Sequence, residues 1–415
     1  MSFNLDAVRA QFPALAIKDN GVRRIYLDNP AGTQVPVGVA DAMSSCLLTA
    51  NANLGGYFPT SQAAGEIVSS ARDAMADLLN APSSHEIVFG QNMTTLTLHI
   101  SRSIGRLFRP GDEIILSQMD HDANVWPWVL LARDLELEVR WLPFNTDTFE
   151  FDLDILDNLI TERTRLLCVG GASNLTGTLN DVTTICDKAK AAGALTYIDG
   201  VQSVPHVVTD VQAIGCDFLV CSPYKFFGPH QGVLWGRREL LEQLEPYKVR
   251  PATSAIPECF ETGTQSHEGF AGIKAAVDYL AWVGESMSGA SSGQPALRAA
   301  MEMLFAYEKA LAAQLIEGLL DIDGVTVQGI TSPDAMDRRV PTVAFTHART
   351  EPAHIAESLA RENIFVWKGH NYAVEVAKAL NIYETGGAVR IGPVHYNSAQ
   401  EIDETLAALR RTLGQ

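Results

Sequence analysis

Basic residues are scarce: among 415 residues, 31 Lys and Arg face 49 Asp and Glu, a net charge of −18. So acidic a chain argues against nucleic acid and anionic membranes as partners, and against large polyanionic substrates. A small anion can still enter a locally basic pocket. No apolar run reaches membrane-spanning length, and the opening stretch MSFNLDAVRAQFPAL has no apolar targeting core. Cysteine is sparse too. The six cysteines, at 46, 168, 186, 216, 221 and 259, include no C-x-x-C pair, and most lie in apolar runs. Buried free thiols in a reducing compartment, the cytoplasm, are expected, with no metal called for. Two glycine signatures are also missing. Neither G-x-G-x-x-G after a first strand nor G-x-x-x-x-G-K-[ST] occurs, which removes support for dinucleotide and P-loop chemistry.

What is present is length, 47% hydrophobic residues and a regular alternation. Apolar runs of strand type cover 86–89, 112–116, 137–144, 165–170, 195–199, 218–222 and 232–236. Helical periods fall between them over 94–108, 124–134, 153–160 and 181–192. Continuous apolar strands alternating with helices predict an α/β fold with a mostly parallel sheet covered on both faces. Before it, a short helix within 1–20 places Val8, Phe12 and Leu15 on one face. Residues 284–295 (GESMSGASSGQP) are small and polar, and are expected as a link or mobile loop. Beyond them a long helix (297–320), strands at 340–345, 364–367 and 388–391, and a last helix (399–413) make a smaller α+β unit. The expected organisation is an N-terminal segment (1–20) packing with the small domain, a large domain (21–285) and a small domain (286–415).

Polar groups at the ends of these elements carry the chemistry. Lys225 follows the strand ending at Cys221, with Phe226 and Phe227 next to it. A lysine at the C-terminal end of a buried strand faces a ligand crevice, and desolvation would lower its pKa and free its amine for Schiff-base chemistry. The alternative is a surface lysine in a turn. Asn92-Met93-Thr94-Thr95 opens a helix, whose free N–H groups suit a phosphate, or Thr94 is simply a cap. His121, between Asp120 and Asp122, either stacks on a ring or sits at the surface. Asn174 follows the strand ending at Gly170. Asp199 ends its strand in YIDG, where it caps a turn or meets a ligand cation, and Gln202 lies three residues on.

Taken together, YLDNPAGTQ, QMDHDANVWPW, SNLTGT, YIDGVQSVPH, CDFLVCSPYKFFGP, FETGTQ and VRIGPVHYN resemble the class V aminotransferase family, which depends on pyridoxal 5'-phosphate (PLP). The likeness is closest to its cysteine desulfurase-like branch and runs from about residue 24 to the C-terminus. It implies the PLP-dependent transferase fold type I, a small amino-acid substrate and a homodimer with shared active sites. It further implies that Lys225 holds PLP and moves protons at the substrate Cα, and that Asp199 faces the pyridine nitrogen. His121 stacks on the ring, Gln202 bonds the ring hydroxyl, and Met93, Thr94, Ser222 and Tyr224 hold the phosphate. Arg390 grips the substrate carboxylate with Asn174 assisting, and Ala31, Tyr57, His370 and Tyr372 line the substrate side. Thr253 or Thr264 reaches across the dimer interface.

Two departures stand out. The loop that carries the desulfurase cysteine aligns through Lys368-Gly-His-Asn-Tyr372, which puts Tyr372 at or next to its position, and no cysteine follows Cys259. The early His-Arg pair of desulfurases has no counterpart at Gly55-Gly56-Tyr57. The expected activity is therefore C–S β-elimination. Class V transamination or epimerisation, desulfuration without a persulfide relay, and a non-catalytic PLP-binding partner remain the alternatives.

Overall fold

A computed structural model describes residues 3–415. The main sheet has seven strands: β1 (Ile87–Gly90), β2 (Glu113–Ser117), β3 (Glu138–Leu142), β4 (Thr164–Gly170), β5 (Leu195–Asp199), β6 (Phe218–Cys221) and β7 (Gly232–Gly236). Their spatial order is β1-β7-β6-β5-β4-β2-β3. Strands β2 to β6 are mutually parallel, and β7 runs antiparallel to both β6 and β1. The reversal at β7 has a simple cause. Only residues 222–231 separate β6 from β7, and a parallel crossover needs about a dozen residues or more.

Both faces of the sheet are covered, which is why its strands are apolar without a break. Leu166, Cys168, Phe218 and Val220 face α3 (Met93–Gly105) and α4 (Trp126–Leu135), while Leu167, Val169, Leu219 and Cys221 enter the opposite core. Period-two alternation thus sorts one strand's side chains into two cores. The second core is closed by α2 (Pro59–Leu79), α5 (Val182–Ala191), α6 (His267–Ser288) and α7 (Gln294–Leu320). The helix α1 (Val37–Thr49) lies against α6. The stretch expected to be flexible over 284–295 is helical at both ends, and only 289–293 form the turn between α6 and α7. Gly284 is needed for packing: a Cβ there would run into the Ala296 carbonyl of α7.

A four-stranded antiparallel sheet follows, in the order β8 (Val325–Gln328), β9 (Val343–His347), β11 (Ala388–Ile391), β10 (Trp367–Gly369). Helices α8 (Pro352–Arg361) and α9 (Ala399–Leu413) pack on it, and α9 opens with a Ser398–Glu401 capping box. The strand expected over 364–367 is split. Ile364–Phe365 pairs in parallel with Ile25–Tyr26, and β10 pairs with β11. The N-terminal helix is shorter than expected. It spans Leu5–Arg9, and a 3-10 turn at Pro13–Ala16 follows, because Pro13 cannot continue an α-helix. Arg9 donates to Glu401 at 3.0 Å and Arg23 to Glu401 at 2.7 Å, tying this segment to α9.

Candidate active site

The parallel strands β2, β4, β5 and β6 all end at one edge, and the segments that follow them close around a cavity of about 650 Å³. Ala31, Met93, Thr94, His121, Asn174, Asp199, Gln202, Tyr224, Lys225, Tyr372 and Arg390, eleven of the residues expected at the site, line it. Strand-end loops of a parallel sheet converge in this way because the crossovers return along the faces.

Lys225 sits in the tight turn after β6, and the neighbouring Phe226 and Phe227 are fully buried. Its amine donates to the Pro30 carbonyl and lies 4.9 Å from the Tyr224 ring centre. Desolvation, then the nearby Arg390 cation, pulls its pKa down from 10.5 to about 7, against the opposing pull of Asp28 and Asp199. The amine is therefore available in neutral form near pH 7. Gln202 donates to the same Pro30 carbonyl at 2.7 Å. Asp199, at the end of β5, accepts from the Val201 N–H at 2.9 Å. Burial pushes its carboxyl up to about 6, with the Val201 bond and Lys225 acting in the other direction.

His121 follows β2. The Ala123 N–H donates to His121 Nδ1 at 3.0 Å, so the neutral ring carries its proton on Nε2. Burial, followed by the Lys225 and Arg390 charges, holds the ring's pKa down at about 3, and it stays uncharged at neutral pH. Arg390, on β11, donates to the Asn174 carbonyl at 3.0 Å and lies 3.8 Å from Asp28. Burial lowers its pKa to about 10, which leaves it cationic at pH 7.

Tyr372 stands over this floor, its ring 5.4 Å from that of His121 at 24°. Asn371 and Tyr372 both have left-handed backbone, at φ 51° and 59°. Two bonds hold the loop: the Asn174 side-chain amide donates to the Asn371 carbonyl at 2.7 Å, and the Asp122 N–H to the Tyr372 carbonyl at 2.8 Å. Five residues expected at the site do not line the cavity. Ser222 is buried just beside it, after β6. His370 lies one layer behind, accepting from the Tyr372 N–H and stacked on Tyr383. Tyr57 is 98% exposed, and Thr253 and Thr264 are also exposed.

Sequence patterns assign no role to several other residues at or behind the cavity. Trp126 and Trp367 line it. Asp120 receives the Gly170 N–H at 2.7 Å and the Asn124 amide at 2.6 Å, which fixes the turn that carries His121. Its position in the quoted DHD stretch was the available clue. Behind the floor, Glu308 of α7 is fully buried and bonded to His206 Nδ1 at 2.7 Å and the His395 N–H at 3.0 Å. It thus joins the segment after Asp199 to the segment after Arg390.

These residues fit PLP. Asn174 Oδ1, Asn371 Oδ1 and Arg390 Nε, of residues that line the cavity, are buried without a hydrogen-bond partner, as are Asp28 Oδ1 and Ser222 Oγ of residues that do not line it, and orphaned groups at a cavity call for a polar ligand. Asn92 caps the Thr95 N–H of α3 at 2.8 Å. Among the described residues, the Met93 and Thr94 N–H groups have no acceptor, and they point a helix N-terminus at the cavity as a phosphate needs. Asp199 is a buried carboxylate suited to a ring cation, and Lys225 is the amine.

The fold and site are those of a fold type I PLP enzyme. The family model for Aminotransferase class-V matches residues 25–405, and the chain belongs to that family. It is similar to a cysteine desulfurase of Pectobacterium carotovorum subsp. carotovorum (strain PC1), 33% identical over 99% of this chain and 98% of that protein. One from Yersinia pestis (strain Pestoides F) is 32% identical over the same shares. Among solved structures, the cysteine desulfurase CsdA (S-sulfonic acid) from Escherichia coli superposes with a TM-score of 0.85 at 28% identity, covering 100% of this chain and 99% of that one. The apo cysteine desulfurase from Thermococcus onnurineus NA1 gives a TM-score of 0.87 at 27% identity with the same coverage. The protein is a cysteine desulfurase-like, PLP-dependent enzyme.

Proposed function

We propose that the enzyme breaks the Cβ–S bond of a sulfur amino acid by β-elimination and that no protein persulfide forms. One observation carries this reading: all six cysteines are buried and none lines the cavity, while Tyr372, at or next to the position that the resemblance implies for the loop nucleophile, does line it. Burial also pushes the thiols of Cys168, Cys216 and Cys221 well up, away from the reactive thiolate.

PLP supplies an aldehyde that condenses with amines and a ring that withdraws electrons. The chain's own residues then divide the work. Arg390, with Asn174, grips the α-carboxylate and fixes the orientation of Cα. Lys225 takes the Cα proton. Asp199 would keep the ring nitrogen protonated, Gln202 would bond the ring hydroxyl, and neutral His121 would stack on the ring. Met93, Thr94, Ser222 and Tyr224 receive the phosphate. Tyr372, its phenol at the mouth, donates a proton to the departing sulfur. The chain acts as a homodimer, in which Tyr57 and either Thr253 or Thr264 of one protomer complete the cavity of the other. The exposure of Leu54, Tyr57, Phe58, Tyr247 and Val249 supports such an interface.

A second reading, cysteine desulfuration with sulfur passed directly to an external thiol, is favoured by the names of the relatives. Product analysis separates the two. Purified holoenzyme with L-cysteine or L-cystine should yield ammonia and pyruvate in equal amounts. Alanine with sulfane sulfur would replace this reading by desulfuration. Conversion of the cofactor to its amine form without ammonia would replace it by transamination.

A further inference from the structure

Part of the cavity lining is apolar and aromatic. Leu98, Trp126, Leu130, Trp367 and Tyr372 all line it. Trp126 and Leu130 are four residues apart on α4 and share a face. Trp367 is the register partner of Arg390 across β10 and β11. Directly opposed residues of an antiparallel pair stand on the same face, with Cβ atoms roughly 5 Å apart. An amino acid gripped by Arg390 therefore has an indole beside it. Despite lining the cavity, Trp126, Trp367 and Tyr372 remain 48%, 55% and 66% exposed. The polar Lys225 and Asp199 line the same cavity as this apolar surface. The cavity, at about 650 Å³, has to take PLP together with the substrate, and ligand sites span roughly 300–1,000 Å³.

We propose that the substrate is an S-substituted L-cysteine whose sulfur carries an apolar or aromatic group, held by Trp126, Leu130 and Trp367. This rests on the elimination reading above. In the reaction the Cα–H bond breaks to Lys225, and the Cβ–S bond breaks with its electron pair going to sulfur. The sulfur takes a proton and leaves as a thiol. Water converts the three-carbon enamine to pyruvate and ammonia, and no oxidant or reductant is needed.

The test uses holoenzyme with S-benzyl-L-cysteine and S-methyl-L-cysteine, following pyruvate and ammonia. Binding is measured separately by calorimetry with the carbon isosteres of the two, in which a methylene replaces sulfur and nothing can leave; the smaller isostere is L-norvaline. The benzyl compound should be preferred in kcat/KM, and its isostere should bind more tightly than norvaline, each by about tenfold or more. Trp126→Ala and Trp367→Ala should each collapse both ratios. Equal binding of the two isosteres, or ratios that survive both substitutions, would overturn the apolar subsite while ammonia release left the elimination reading standing. Tight isostere binding with no ammonia from either cysteine derivative would overturn the elimination reading and the substrate assignment with it.

Discussion

A neutral amine is required to attack a carbonyl, so the pH dependence of PLP capture by the apo-protein reports the state of Lys225. An amine of ordinary pKa 10.5 is neutral in about one molecule in 3,000 at pH 7, whereas at a pKa of about 7 roughly half are neutral. The capture rate should climb about tenfold per pH unit on the acid side and flatten above about pH 7. The causes of the shift give two controls. Arg390→Gln removes a cation that depresses the pKa and should move the knee upward; Asp199→Asn removes an anion that supports the ammonium and should move it downward. Stopped-flow absorbance from about pH 5.5 to 9.5 would follow capture, and borohydride reduction with peptide mass mapping would place the adduct on Lys225. The cofactor phosphate titrates near pH 6, but identically for all three proteins, so the displacement between variants is diagnostic. A rate still climbing above about pH 9, or knees displaced in the opposite senses, would refute the reasoning. The sign for stability is the companion check. With its folded pKa depressed, Lys225 contributes stability that is fully present above 10.5 and lost as the pH falls through about 7.

Three further outcomes are expected. Arg390→Gln should raise KM for amino acids at least about thirtyfold with a smaller change in the cofactor spectrum, since truncating a buried charged partner costs roughly 2–5 kcal/mol; an unchanged KM would remove Arg390 from the carboxylate. Asp199→Asn should retain PLP but slow turnover by about a hundredfold or more, read as kcat at saturating substrate, and near-normal kcat would contradict its place at the ring nitrogen. Glu308→Ala should lower unfolding stability by about 3–5 kcal/mol in denaturant melts, because it strips a buried carboxylate from its partners. Burial raises the Glu308 carboxyl, but His206 and His395 outweigh it and hold the pKa below 4.5. Its contribution to stability is then present above 4.5 and lost as the pH falls through the depressed value, and the variant's stability should be flatter with pH in that window.

Much of this was legible in the chain because it is local. A strand buried on both faces must be apolar at every position, so β4, β5 and β6 announce themselves, and the residues that follow each one must face the same crevice. Lys225, Asp199, His121 and Asn174 all sit within a few residues of such ends. What could not be seen depends on pairing across distance. Trp367 meets Arg390 only through the register of β10 on β11, which no local pattern encodes. Glu308 looks like a surface acid in an amphipathic helix, and its burial is intelligible only once His206 and His395 arrive from distant segments. The sequence reading assigned no element to 237–283, yet α6 begins at His267 and takes up the last part of it. Its buried stripe faces α1, α2 and α7, and a helix enclosed by helices shows little polar contrast.

Elimination without a protein-bound sulfur is the central claim, and the protein's own mass after turnover tests it most directly. Holoenzyme quenched during steady-state turnover of L-cysteine, alkylated and analysed intact should show no added sulfur atom, and its peptides should return all six cysteines with no sulfur beyond their own. A protein heavier by one sulfur, mapped to any of those cysteines and discharged by an added thiol, would mean that a buried thiol reaches the substrate and that the enzyme works as a persulfide-forming desulfurase.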